Sequence, residues 1–388
     1  MREKITAYLR KCEPRMFSLL KRLVLIQSGT GNKKGVDLVG SVIEDFFADL
    51  PFSCQRFPQK KVGDHLVFTN SAARENGSKS ILLAGHMDTV FPEQTGFNWY
   101  KEERDRVFGP GVIDMKGGLV VTMFAVRALA QCGLAEHIPL VLLFNSDEET
   151  GSGSSTELVE RLARNACCGL VTECGGLVGQ VVTGRKGKTG YRLDAYGRSG
   201  HAAFSGRDKA SAILELCRLV PQIEELNDPE SGLVVNVGRI GGGIGANTVA
   251  EHAWAEIDTR YGTFLSGQRL QKSIEHCVMT PGRNGSKSTI AVINSRPVME
   301  QAKVNKELYC VFKQQADALG LALCDEVRQG VSDGSNIAGQ GVPVVDGLGP
   351  IGEHDHSDRE YMLKESLLQR CQLLAVSLVE LNRLYFPV

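Results

Sequence analysis

The feature that most constrains this chain is a repeated junction, in which a short apolar run gives way to a polar cluster rich in acids or histidine. Pro139-Leu140-Val141-Leu142-Leu143 passes into Phe144-Asn145-Ser146-Asp147-Glu148-Glu149-Thr150-Gly151-Ser152, ahead of a helical pattern. Ile81-Leu82-Leu83-Ala84 ends in Gly85-His86-Met87-Asp88-Thr89, and Cys168-Gly169-Leu170-Val171-Thr172 ends in Glu173. Apolar runs of this length, closed by glycine and polar residues, predict buried parallel strands. Ligands sit at the carboxyl ends of such strands. Taken alone, Asp147-Glu148-Glu149 also suits the solvated first turn of a helix, where acids are favoured. Yet neighbouring acids repel and a buried carboxylate needs a partner, so a positive group is expected beside them.

Helical spacing marks the first 50 residues, through Leu19, Leu20, Leu23 and Val24 and then Val39, Ile43, Phe46 and Phe47. Pro14 is expected to open a helix, because proline suits a first turn. Residues 99–108 are polar and irregular. Gly109-Pro110-Gly111-Val112-Ile113-Asp114-Met115-Lys116-Gly117-Gly118 then forms a glycine-rich turn that opens a helix bearing Leu119, Val120, Met123, Phe124 and Leu129. It is not a phosphate loop, since GxxxxGK[ST] is absent and Lys116 precedes the last glycines. Alternating strands and helices to about residue 186 predict an α/β domain with a mostly parallel sheet sandwiched by helices.

From residue 187 the pattern changes. Strand 191–196, helix 210–223, strands 233–240 and 253–261, helix 270–279 and strand 289–294 follow the order of a ferredoxin-like α+β domain. Beyond Pro297, a helix at 308–318, short segments at 323–328 and 344–345, and a helix at 363–384 are expected to complete the first sheet. The first domain is therefore discontinuous, 1–186 and 298–388, with 187–297 inserted.

Lysine plus arginine number 44 and aspartate plus glutamate 45, a balance that argues against nucleic acid and anionic membranes as partners. Eleven scattered cysteines without a CxxC repeat suit free thiols in a reducing compartment. Met1-Arg2-Glu3-Lys4 leads into a charged amphipathic pattern, and no run of about eighteen apolar residues occurs. A cytoplasmic protein is expected.

Collected from the strand ends, His86, Asp88, Asp114, Glu148, Glu149, Glu173, His354 and His356 make one chemical set. Imidazole and carboxylate without thiolate is the donor set of zinc, cobalt or manganese in hydrolytic sites. Any one of these residues alone is most simply a surface loop residue; their recurrence at successive strand ends is what carries the argument.

The motifs resemble those of the zinc-dependent family of aminoacylase, acetylornithine deacetylase, succinyl-diaminopimelate desuccinylase and glutamate carboxypeptidase. His86-Met87-Asp88-Thr89 is similar to its first metal motif and Gly111-Val112-Ile113-Asp114-Met115-Lys116-Gly117-Gly118 to its second. Glu148-Glu149-Thr150-Gly151-Ser152 is similar to the third, and His356-Ser357-Asp358-Arg359-Glu360-Tyr361 to the closing one. The resemblance implies two divalent metal ions, zinc with cobalt or manganese as alternatives. His86 and Glu173 would hold one and Glu149 and His356 the other, with Asp114 shared; the motif favours His356 over His354. Asp88 would steady His86, and Glu148 would be the general base. Cys174 stands where relatives often carry proline.

The same resemblance makes the inserted domain a lid and dimerisation domain. His201, in Gly197-Arg198-Ser199-Gly200-His201-Ala202-Ala203, would help hold an oxyanion in the partner subunit's site. Asn247, Arg260 and Arg296 would bind a substrate carboxylate. The implied activity is hydrolysis of an amide or peptide bond beside a free carboxylate, by a homodimer. Ser332-Asp333-Gly334-Ser335-Asn336 and Asp346-Gly347-Leu348-Gly349-Pro350 look most like the glutamate carboxypeptidase branch. The alternatives are an N-acyl-amino-acid deacylase and, in another class, a non-catalytic binding protein that keeps the fold.

Overall fold

The computed structural model of the chain describes residues 1–74, 79–280 and 282–387. It divides into two compact units, the first Met1–Gly184, Gln301–Arg328 and Ser332–Val388, the second Arg185–Glu300 and Gln329–Val331.

In the first unit the three apolar runs become the adjacent strands Leu140–Asn145, Ser80–His86 and Ala166–Val171, paired in parallel. His65–Asn70 joins antiparallel beside Leu140–Asn145 and Phe52–Phe57 lies outside it, while Val344–Val345 closes the far edge in parallel. Alternate residues of these strands face opposite ways, and both faces are covered. Gly85 turns towards Met115 and Leu119, at the start of the helix Lys116–Gln131, whereas Gly169 turns towards Ile337 of the helix Asp333–Ala338. Lys116–Gln131 packs with the helices Arg2–Val24 and Lys364–Tyr385 around a core that includes Met16, Leu20, Phe124 and Leu374. The α/β architecture expected from the apolar runs is thus present, with helices on both sides of a mostly parallel sheet.

Pro14 does not open a helix. It lies inside the helix Arg2–Val24, on its exposed side, where water can serve the carbonyl left without an N–H partner. The loss, about 3 kcal/mol for an interior proline, is offset by the fully buried stripe of Ile5, Leu9, Met16 and Leu20. The segment at 323–328 also differs from expectation: Cys324–Arg328 pairs with Gln180–Arg185 in a separate two-stranded sheet.

A further small sheet joins distant parts of the chain, in the order Gly352–Glu353, Tyr361–Leu363, Arg106–Phe108, Lys101–Glu102. The stretch before residue 109 is therefore partly strand. Its regularity is imposed by Tyr361↔Phe108 and Met362↔Val107 pairing and not by any local hydrophobic period.

The second unit has a four-stranded antiparallel sheet in the order Val234–Gly242, His252–Tyr261, Gly187–Tyr196, Lys287–Arg296. With the helices Ala212–Glu224 and Phe264–Met279 this is a ferredoxin-like arrangement. Tyr191, Leu193, Ala195, Ala255 and Ile257 pack against Leu216, Leu219, Leu270 and Ile274. Among the described residues, no helix is long and apolar enough to cross a membrane.

Candidate metal centre

Because Ser80–His86 is paired in register with both neighbours, His86 lies opposite Asn145 and Ala84 opposite Val171. The segments carrying Glu148, Glu149 and Glu173 therefore leave the sheet beside His86. Asp114 reaches the same point from the glycine-rich turn, and His356 from the loop between Gly352–Glu353 and Tyr361–Leu363.

His86 Nε2 lies 3.2 Å from Asp114 Oδ1 and 3.5 Å from Glu173 Oε1. On the other side of Asp114, its Oδ2 lies 3.1 Å from His356 Nε2, which is 3.2 Å from Glu149 Oε2. Ligand atoms of His86, Asp114 and Glu173 come within 4.8 Å of one another, as do those of Asp114, Asp355 and His356. Asp114 belongs to both groupings. His354 stands apart, its ring edge-on to Tyr361 at 5.9 Å.

The electrostatics of this cluster call for cations. Burial, reinforced by the charge of Asp114, pushes Glu149 and Glu173 each up to about 7. Burial alone would lower the pKa of His86, but Asp114, Asp88 and Glu173 carry it well above its ordinary value. Hydrogen bonds with Asp114 and Glu149 lift His356 to about 11. The imidazoles are being driven to supply positive charge that the carboxylates require. Glu149 Oε1 is moreover buried with no hydrogen-bond partner among the described residues. Oxygen and imidazole donors with an unused buried lone pair fit divalent metal ions.

Asp88 is fully buried and accepts from several directions. Thr30 Oγ1 donates to its Oδ2 at 2.7 Å, and the backbone N–H groups of Glu148 and Glu149 reach Oδ1 and Oδ2, each at 3.3 Å. His86 Nδ1 lies 3.0 Å from the Asp88 carbonyl and 3.3 Å from Oδ1. In the neutral ring that a metal requires, an Nδ1–H directed at these oxygens would leave the Nε2 lone pair facing the cluster.

Asp147, part of the acidic run that also suits a solvated helix turn, is instead buried and structural. Its carboxylate accepts from Ser154 N at 2.6 Å, Ser154 Oγ at 2.7 Å and Ser155 Oγ at 2.6 Å, which folds the turn that presents Glu148 and Glu149. Both glutamates lie on the single turn Glu148–Thr150. Beside Glu149 opens a cavity of about 700 Å³, bordered by Thr30, Asn32, Lys34, Thr89 and Gln94.

The other four candidate residues belong to the second unit. His201 is exposed, pairs in register with Thr248 and stands next to Asn247, whose carbonyl accepts from Ala202 N at 2.9 Å. Arg260 holds Asp258 at 3.0 Å, and Arg296 is buried. Both lie opposite Lys188 across neighbouring strands, a rung of three cations. Asp355 received no role from sequence, although it sits within the run Glu353-His354-Asp355-His356.

Fold and cluster first define a class, an α/β protein with carboxylates and imidazoles gathered at its strand ends, the donor set of hydrolytic metal sites. Residues 82–380 match peptidase family M20/M25/M40, and the chain belongs to that family. It is a hydrolytic enzyme of the metallopeptidase class. Carboxypeptidase G2 of Pseudomonas sp. (strain RS-16) is 26% identical over 375 residues, a match covering 95% of this chain and 89% of that protein. Aminopeptidase PepT of Bacillus cereus ATCC 10987 shares the fold with a TM-score of 0.75 at 22% identity, covering 95% of this chain and 99% of that one. The YXEP protein of Bacillus subtilis, a dinuclear metal binding peptidase, shares it with a TM-score of 0.70 at 13% identity, covering 96% and 99%.

Proposed function

We propose that this chain is a two-metal hydrolase that cleaves an amide or peptide bond next to a free carboxylate, with a preference like that of a glutamate carboxypeptidase. The observation that carries the reading is Asp114, whose two oxygens each face a different imidazole. In this reading His86 and Glu173 hold one metal, Glu149 and His356 the other, and Asp114 both. Zinc suits the donors best, with cobalt or manganese as substitutes. When bound, the two ions lower the pKa of water and polarise the scissile carbonyl.

The remaining work falls to side chains. Asp88 orients His86 through Nδ1. Glu148, left outside the ligand set on the same turn as Glu149, takes a proton from the attacking water and returns one to the leaving nitrogen. The cavity beside Glu149 offers room for the group on one side of the scissile bond. His201 serves as oxyanion donor, and Asn247, Arg260 and Arg296 bind the substrate carboxylate. A cytoplasmic homodimer formed through the second unit completes the proposal, with His201 acting across it.

Two measurements test this reading. Glu148→Gln should keep its metal and lose about 10²–10⁴-fold in kcat, whereas Glu149→Ala should lose metal; a fully active Glu148→Gln removes the base assignment. C-terminal glutamyl peptides should be cleaved in preference to N-acyl amino acids, and cleavage of the acyl amino acids alone would make the chain a deacylase.

A further inference from the structure

The loop bearing Asp114 and the loop bearing His356 leave adjacent strands of the small sheet, Arg106–Phe108 and Tyr361–Leu363. Neither loop is held by regular pairing at its working end. The backbone of His356 occupies the left-handed region, with φ of 59°, which a non-glycine residue adopts at a cost. Some contact must hold the two loops in register.

Glu360 supplies it. Its side chain is completely buried, and its carboxylate accepts three backbone N–H groups of the opposite loop. Gly111 N donates to Oε2 at 2.9 Å, Ile113 N to Oε1 at 2.9 Å and Asp114 N to Oε1 at 3.1 Å. One carboxylate thus grips the peptide of Asp114 itself, four residues along the chain from His356. The first grouping is built differently: His86 and the segment leading to Glu173 are fixed by the central sheet.

We propose that Glu360 is a positioning residue that sets the spacing of Asp114 and His356 and thereby governs metal occupancy on the His356 side of the centre. The assignment rests on the two-metal reading above. It makes an asymmetric prediction, because loosening this link disturbs two of the three ligands of one site, Asp114 and His356, but only the shared ligand of the other.

The experiment is cobalt(II) titration of chelator-treated full-length protein, followed by visible absorption and by metal analysis after equilibrium dialysis. Wild type, Glu360→Gln, Glu360→Asp and the core variant Leu374→Ala are compared, and far-UV circular dichroism of each metal-free protein monitors folding. Wild type should bind two equivalents. Glu360→Gln should keep one equivalent with little change and bind the second about 10–100-fold more weakly, the loss typical of a disturbed ligand support. Glu360→Asp, which retains the charge, should recover part of that loss, and Leu374→Ala should leave both affinities unchanged.

Equal weakening of both equivalents in Glu360→Gln, or of neither, overturns the inference while leaving the two-metal reading intact. Unfolding of both Glu360 variants in the metal-free state also overturns it, since the residue would then be a strut of the fold. A single equivalent in wild type overturns the two-metal reading, and this inference with it.

Discussion

Asp88→Asn separates two tasks that one buried carboxylate performs. In the wild type, acceptor-only oxygens meet Thr30 Oγ1, two backbone N–H groups and His86 Nδ1. Asparagine keeps one oxygen and turns an NH₂ group towards the remaining donors. If the amide oxygen stays with Thr30 and Glu149 N, the NH₂ faces Glu148 N and His86 Nδ1. The imidazole still has the Asp88 carbonyl at 3.0 Å, so its tautomer survives. The Glu148 N–H has no such second acceptor within the set. A buried donor left unpaired costs about 1–3 kcal/mol, and donor facing donor adds to it, so metal-free Asp88→Asn should lose about 2–3 kcal/mol. Asp88→Ala takes the acceptor from Thr30 Oγ1 and both backbone N–H groups, while His86 keeps the backbone carbonyl, and should lose about 4 kcal/mol or more.

Urea unfolding of the chelator-treated proteins measures both losses. Metal affinity of Asp88→Asn should fall only about tenfold, yet kcat at saturating metal should still drop, because the Glu148 N–H has lost its tie to residue 88. Stability within about 0.5 kcal/mol of wild type, the range of an ordinary surface substitution, would refute the accounting. So would an alanine variant no worse than the asparagine one.

Further outcomes are expected elsewhere in the first unit. A Cβ on Gly118 would lie 1.8 Å from the carbonyl oxygen of Thr172, the residue before Glu173. Gly118→Ala should therefore cost about 1–3 kcal/mol in thermal unfolding and weaken metal binding in dialysis; unchanged values for both would show that the strand end yields freely. Asp64, bound by Lys33 at 2.6 Å and by Gln59 N at 3.0 Å, is held below its ordinary pKa because these partners outweigh burial. Its stabilisation, about 1–2 kcal/mol for charge-assisted bonds, is therefore present at neutral pH and lost as pH falls through the carboxylate range. Asp64→Asn should remove that part of the acid-side slope, and an unaltered slope would count against the linkage.

The strand-end pattern located most of the cluster because its cause is local. An apolar run that stops at His86, at Asn145 or before Glu173 announces both the strand and the side chains at its end. The strands and helices of the second unit carry their own periods, so their order was legible in the same way. It failed where the cause is distant. Residues 101–108 look irregular because their partner strand arrives only at 361–363, and Glu360 looks like one more acid in a polar stretch because its three donors lie 246 to 249 positions away. Pro14 misled because propensity describes a solvated helix, whereas this helix is held by its buried stripe.

That separation also orders events in time. The turn carrying Asp114 leaves the ribosome long before the acceptor that grips it. At about 5–20 residues per second, the intervening 246 positions take roughly 12–50 s to synthesise, an interval in which the second unit's residues emerge with contacts of their own. Through that interval the Asp114 loop has no partner loop and His356 does not yet exist. If Asp114 and His356 hold metal as proposed, hydrolytic competence is a late event in biosynthesis, and a stalled or truncated product lacking the 352–363 segment should be inactive.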